Sequence, residues 1–314
     1  MEEQLWQACS DAKLEEVEKL LQNSEINTNW QESKSLRTPF FIACESGHLD
    51  IVKLLLKDER VDMNKPMNDG STPLFLACFQ GHVELVELLL NDKRVEVNTP
   101  RNNGATPFYI ACQEEQTGVI KLLLNDERVE INKTKKGGGE TPFYIACQEG
   151  QSEAVKLLLN DEKVEINQTS NSGATPFWIV CYKGYIDITK FLLNNERIEI
   201  NKANKNEASP FWMACQQGHI EIVKILLSDK RIDINKSRND GETPFYVALK
   251  EGHTEVVNVL RNESNLFIHS ICLIPILSSY SFFFFFFFLL IFFFFFFFFF
   301  FFPANHSFFL NHRK

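Results

Sequence analysis

The familiar signatures of catalysis are missing from this chain. Its 314 residues contain no G-x-S-x-G elbow, no G-x-x-x-x-G-K-[ST] phosphate loop and no H-E-x-x-H pair. The usual sequence marks of acyl transfer, nucleotide binding and zinc hydrolysis are therefore absent. No two cysteines have the C-x-x-C spacing of a zinc site. There is no sustained Lys/Arg run, so nothing resembles the basic stripe with which nucleic-acid binders neutralise phosphates. The N-terminus, Met1-Glu2-Glu3-Gln4-Leu5-Trp6, lacks the basic n-region and apolar stretch of a cleaved signal peptide. After Glu263 there is no acidic residue, and Arg313 and Lys314 are the only basic ones.

What is present falls into two parts. Of 31 Phe, 18 lie in Phe282–Phe288 and Phe292–Phe302, joined by Leu289, Leu290 and Ile291 into 21 apolar residues. The first 265 residues instead carry 30 basic and 41 acidic side chains, a net charge of −11. That composition is typical of a folded soluble chain.

The acidic part is periodic. Thr-Pro recurs at Thr38, Thr72, Thr106, Thr141, Thr175 and Thr243, with Ser209-Pro210 in the remaining slot, in steps of 34 residues and one of 35. The longer step falls near Gly137-Gly138-Gly139. Cys9, Cys44, Cys78, Cys112, Cys147, Cys181 and Cys215 keep the same period. A repeat this regular governs the whole fold. Within each unit Thr is suited to cap a helix and Pro to open it. An apolar run such as Pro142-Phe143-Tyr144-Ile145-Ala146-Cys147 follows. In six of eight units the run stops at Gly (Gly47, Gly81, Gly150, Gly184, Gly218, Gly252), where left-handed geometry costs little. A second run such as Glu84-Leu85-Val86-Glu87-Leu88-Leu89-Leu90 has its acid near the start. Asp69-Gly70, Asn103-Gly104 and Asp240-Gly241 mark turns. Two short helices per unit are marginal alone. The pattern predicts an all-α solenoid whose units bury their apolar faces on one another.

Thr72-Pro73-Leu74-Phe75-Leu76-Ala77-Cys78, then Gly81-His82, then Glu84-Leu85-Val86-Glu87-Leu88-Leu89-Leu90 resembles the ankyrin repeat, whose pattern reads T-P-L-H-x-A-A-x-x-G-H-x-E-I-V-x-L-L-L. The resemblance covers residues 1–264 in about eight units, the first degenerate. It implies stacked helix-turn-helix units with β-turn fingers and a concave protein-binding surface. Two departures stand out. The family's His after T-P-L is an aromatic at Phe41, Phe75, Tyr109, Tyr144, Trp178, Trp212 and Tyr246. The unit is also one residue longer than the usual 33, because sequences such as Asn125-Asp126-Glu127-Arg128 replace the family's Gly-Ala-Asp after the second helix. With that Gly gone, Asn91, Asn125, Asn160 and Asn194 are the residues expected to take the left-handed position.

The remaining signals read mostly as packing. Equivalent cysteines should lie about one helix layer apart, roughly 8–10 Å, too far for a disulfide, so Cys is expected as a small buried hydrophobe. Free thiols fit a reducing, cytoplasmic or nuclear setting. The aromatic column is expected to pack ring on ring between units, with an exposed strip offered to a partner as the alternative. His48, His82, His219 and His253 share the Gly-His slot and are whole units apart, so no metal site and no cofactor are expected.

What varies is the pair between Cys and Gly. In the ankyrin family these positions and the finger tips face the partner. The candidate partner-binding residues are therefore Asn68, Asp69, Phe79, Gln80, Asn102, Asn103, Gln113, Glu114, Gln148, Glu149, Tyr182, Lys183, Gln216 and Gln217, with Phe79 and Tyr182 as anchors. The expected activity is non-enzymatic: a monomeric scaffold for a protein partner with a basic or amide-rich surface. The resemblance fades before an apolar linker at 265–281, the Phe tract at 282–302 and a short tail at 303–314. The tract is long enough, at about 31 Å as a helix, to span a bilayer and anchor the repeats on the cytosolic side. It reads equally as translated thymine-rich noncoding DNA. In that case the array is a complete adaptor or the regulatory fragment of a larger enzyme.

Overall fold

A computed structural model describes residues 1–262, and all regular structure there is helical. Eight repeats each contribute two helices. The first helices are α1 (Glu2–Ser10), α3 (Pro39–Glu45), α5 (Pro73–Gln80), α7 (Pro107–Gln113), α9 (Pro142–Glu149), α11 (Pro176–Lys183), α13 (Pro210–Gln217) and α15 (Pro244–Lys250). The second helices are α2 (Leu14–Leu21), α4 (Leu49–Leu56), α6 (Val83–Leu90), α8 (Thr117–Asn125), α10 (Ser152–Leu159), α12 (Ile186–Leu193), α14 (Ile220–Leu227) and α16 (Thr254–Asn262). First helices pack on first helices of adjacent repeats, and second helices on second, giving two helical layers.

The Thr-Pro signal does what its chemistry dictates. In every repeat after the first, the Thr or Ser oxygen accepts from the backbone N–H three residues on, at 3.0–3.2 Å. The Pro occupies the first turn, where its missing N–H costs nothing. The turn between the two helices is left-handed throughout. Repeats 1 and 4, which lack Gly there, place Ala12 (φ 59°) and Glu115 (φ 55°) in the same conformation. Glu115 offsets the strain, since its Oε1 accepts from the Glu153 N–H at the start of α10, 2.8 Å away.

Burial follows the repeat. The seven cysteines sit in the core, with Phe108, Phe143, Phe177 and Phe211 beneath the first helices and Leu55, Leu89, Leu123, Leu158, Leu192 and Leu226 beneath the second. The short segment after each second helix adds Val61, Val95, Val129, Val164, Ile198 and Ile232.

The second helices do not end as the sequence suggested. Asn91, Asn160 and Asn194 are right-handed (φ −72°, −81° and −73°), and Asn125 is still helical. An arginine from the following repeat reaches back instead. Arg60, Arg94, Arg128, Arg197 and Arg231 donate Nη2 to the carbonyls of Leu21, Leu56, Leu90, Leu159 and Leu193 at 2.7–3.0 Å. Four of them fork onto an aspartate two residues earlier: Asp58, Asp92, Asp126 and Asp229. A cation at a helix C-terminus satisfies orphan carbonyls and complements the helix dipole, so the left-handed residue becomes unnecessary.

A second ladder runs alongside. Asn29, Asn64, Asn98, Asn132, Asn167 and Asn201 each donate Nδ2 to a carbonyl of the next repeat at 2.6–2.8 Å. Each also accepts on Oδ1 from an N–H two residues beyond that carbonyl at 2.7–2.9 Å. The linker, Phe tract and tail read at 265–314 lie outside the described residues. No helix among the described residues is long and apolar enough to cross a membrane.

Candidate functional site

The fingers form a ladder of their own. Met67, Arg101, Ser170 and Arg238 donate their backbone N–H across the finger to Ser71, Ala105, Ala174 and Glu242 at 2.9–3.0 Å. Successive fingers are joined by backbone bonds such as Asn102 N–H to Asp69 O (2.9 Å) and Asn171 N–H to Gly138 O (2.7 Å). The candidate side chains at the tips are largely engaged in this geometry. Asp69 Oδ1 accepts from the Ser71 N–H and Asn103 Oδ1 from the Ala105 N–H, at 2.9 and 3.0 Å. The Asn68 and Asn102 amides lie 3.5 and 3.4 Å from carbonyls of the preceding finger, long for a hydrogen bond.

The helix-end candidates are different. Their backbone carbonyls are taken by the residue in the Gly-His slot of the following repeat. Gln116 Nε2 donates to Phe79 O (3.0 Å), Gln151 Nε2 to Gln113 O (2.6 Å) and Tyr185 Oη to Gln148 O (3.3 Å). His219 and His253 meet Tyr182 O and Gln216 O at 2.9 and 2.8 Å. So His, Gln and Tyr do one job there, tying a helix end to its neighbour.

The side chains above those carbonyls stay free for other contacts. Phe79 and Tyr182 are each 37% exposed. Gln80, Lys183 and Gln217 are exposed and Gln216 is partly so, and none of these side chains hydrogen-bonds another group among the described residues. Gln113 and Gln148 bond only the adjacent Glu114 and Glu149, at 2.9 and 3.0 Å. These residues line one edge of the first-helix layer, repeat after repeat. Phe79 and Tyr182 occupy the same slot three repeats apart, so one side chain does not bridge them.

The aromatic column packs, but not ring on ring. Phe41, Phe75, Tyr109, Tyr144 and Trp212 are buried, Trp178 and Tyr246 partly so. Their cover is the next finger rather than the next ring. Arg101 lies over Phe75, Lys135 over Tyr109 and Arg238 over Trp212, at 5.6, 5.8 and 5.0 Å from the ring centroids. Trp178 and Trp212 donate their indole N–H to Ala208 O and Glu242 O at 2.9 Å. A finger strand separates the rings, which is why they do not stack between repeats. Trp6, three residues before Cys9 like every other ring in the column, is its first member. The spacing could have revealed it, as could the 26-residue offset from ring to cation.

The thiols face no cation and no metal-ligating neighbour that would activate them. Burial pushes the Cys9 thiol up to about 12 and the others above the usual thiol range. Among the described residues no group of three His, Cys, Asp or Glu side chains could hold a metal ion. The strongest electrostatic features are the aspartates of the helix caps, held below the usual carboxylate range chiefly by the arginine hydrogen bond.

No curated protein matches the chain in sequence. A family model described as "Ankyrin repeats (3 copies)" matches it in overlapping stretches, residues 5–100, 60–135, 108–204, 162–238 and 196–270. The Thr-Pro caps, left-handed turns, linked fingers and two helical layers are the structural expression of that match, and the chain belongs to the ankyrin repeat family.

Proposed function

We propose that the chain is a non-enzymatic scaffold that holds a protein partner along the edge formed by the ends of the first helices. One observation carries this reading. The invariant side chains of the repeat are consumed in contacts between repeats, as caps, ladders and core. The varying side chains at Phe79, Gln80, Tyr182, Lys183, Gln216 and Gln217 are exposed and free of such contacts. Residues that do not hold the fold together and differ from repeat to repeat are where recognition can reside. Ankyrin repeats are generally protein-interaction modules, which supports the class of function. The helix ends are the better part of the candidate surface, because the finger-tip side chains at Asp69 and Asn103 are already used in turns. The setting that fits seven buried free thiols is the cytosol or nucleus.

The test is affinity capture with the full chain, comparing the native protein with a Phe79→Ala/Tyr182→Ala/Gln216→Ala variant. A Val83→Ala variant on the other helical layer serves as control. Loss of the partner in the triple variant alone, with an unchanged melting curve, is the expected result. Retention of the partner by the triple variant would overturn the reading.

A further inference from the structure

Repeat 6 departs from the arrangement that covers the aromatic column. In repeats 3, 4 and 7 the ring lies under a cation 26 residues further along the chain. Twenty-six residues after Trp178 stands Asn204, whose Oδ1 accepts from the backbone N–H groups of Asn206 and Ala208 at 3.0 and 3.1 Å. The Trp178 face has no such cation. It stacks on Tyr182, one turn along α11, with centroids 5.6 Å apart and planes 16° from parallel. Tyr182 is also among the most exposed large apolar side chains of the first-helix layer. Together the two rings make an aromatic ledge at the helix edge.

The charge around the ledge is unusual for this acidic protein. Residues 166–186 contain no Asp or Glu, the longest such run before Glu263. Lys183 ends α11, and Lys205 lies on the next finger with its stem across Gly173, where an added Cβ would meet Lys205 Cγ at 3.0 Å. Neither lysine makes an ion pair among the described residues, nor does Lys136 on the finger before. The nearest acids in the repeat pattern are engaged: Glu149 accepts from Gln148 at 3.0 Å and Glu207 pairs with Lys236 at 3.6 Å.

We propose that this ledge docks an acidic segment of the partner protein, with an apolar or aromatic side chain laid on Trp178 and Tyr182 and carboxylates met by Lys183 and Lys205. The proposal rests on the scaffold reading above and narrows it to one repeat and one chemistry. A basic segment could place its own cation on the bare ring, but it would face three lysines without a carboxylate partner. The overall negative charge does not decide the matter, because charges beyond a Debye length of about 8 Å are screened at physiological salt. The local excess of lysine sets the preference, and exposed aromatic rings supply the anchor.

Fluorescence anisotropy with the full chain tests this, using three dye-labelled 12-residue probes. One alternates Asp and Gly around a central Phe, one replaces its Asp with Lys, and one replaces the Phe with Gly. The first should bind at least about fivefold more tightly than either of the others. Lys183→Glu/Lys205→Glu should weaken it by about fivefold or more without moving the melting curve, as should Tyr182→Ala. Equal or tighter binding of the lysine probe would overturn the proposal, and so would no binding of the acidic probe at roughly 1 mM or binding unmoved by the lysine reversals. If the probes fail while the triple variant still loses the partner, the scaffold reading stands and only the acidic docking falls. If both fail, the helix edge is not the binding surface.

Discussion

Lys163 stands where the other repeats carry the arginine of the cross-repeat cap, and Lys163→Arg should stabilise the protein. Its N–H accepts the same turn, bonding Asp161 Oδ1 at 2.8 Å, yet its ammonium makes no hydrogen bond to α8 among the described residues. In the repeat register its target would be the Leu124 carbonyl, the counterpart of Leu90, which Arg128 holds at 2.7 Å. A groove of about 350 Å³ lies at that spot, lined by Lys121, Leu124, Asn125, Leu157, Asn160, Asp161 and Glu162. Arginine would enter with Asp161 already placed to receive its fork. A cation at a helix C-terminus contributes about 0.3–1 kcal/mol, and an exposed fork onto carboxylate about 0.2–1 kcal/mol. The guanidinium groups of Arg60, Arg94, Arg128 and Arg231 are 36–46% exposed, so screening and the ordering of a long side chain reduce the sum. The expected gain is about 0.5–1.5 kcal/mol. Arg128→Lys, the reverse change one repeat earlier, should lose a similar amount. Urea unfolding followed by tryptophan fluorescence measures both, and hydrogen exchange at residues 123–129 should slow in Lys163→Arg. A midpoint that is unchanged or lower in Lys163→Arg would refute the view that the arginine cap, rather than its turn, holds the second helices.

Two further outcomes follow from the ladders. Asn98→Ala removes a donor to Arg128 O (2.6 Å) and an acceptor from the Glu130 N–H (2.8 Å); at about 0.5–1 kcal/mol for each exposed bond, urea unfolding should show a loss of about 1–2 kcal/mol, and no loss would mean that water replaces the amide freely. Asp58, Asp92, Asp126 and Asp229 have folded pKa values below the unfolded value, so their contribution is present above the ordinary carboxylate pKa of about 4 and is lost as the pH falls through the folded value. Stability should therefore decline below about pH 4, and changing all four to Asn should flatten that decline, as urea midpoints at successive pH values would show. An unchanged acid limb would place the proton uptake elsewhere.

The helix pairs were legible because their signals are local. Thr38, Thr72 and Ser209 each act on an N–H three residues away, and a glycine such as Gly81 or Gly218 marks its own turn. What joins one repeat to the next was not legible in the same way. Asn98 and Arg128 stand at fixed places in every period, but their partners lie 30 to 38 residues away. Only the geometry of stacking shows which carbonyl each one meets. Reading Asn91 as a left-handed cap failed for that reason: it assumed that a helix must end with its own residues. The aromatic column failed in a similar way, because the finger strand that carries Arg101 over Phe75 comes between neighbouring rings. The candidate site was legible as a set of positions, through the variation between Cys and Gly, whereas the division of labour between finger tips and helix ends required the hydrogen bonds.

The longer repeat has a consequence for how the array behaves. A glycine cap would close each second helix within its own repeat, stabilising the repeat by itself. Here Arg94, Arg128, Arg197 and Arg231 close it from the next repeat, beside the asparagine ladder and the His, Gln and Tyr ties. In a one-dimensional array, stability is a sum of repeat terms and neighbour terms. Moving the cap across the boundary weakens the first and strengthens the second. The expected result is an array that unfolds more cooperatively than one with self-capped repeats. Phe79 and Tyr182 are then held at a spacing set by three tied interfaces rather than by loosely jointed units. A partner that contacts both must match that spacing, because the scaffold has little freedom to adjust to it.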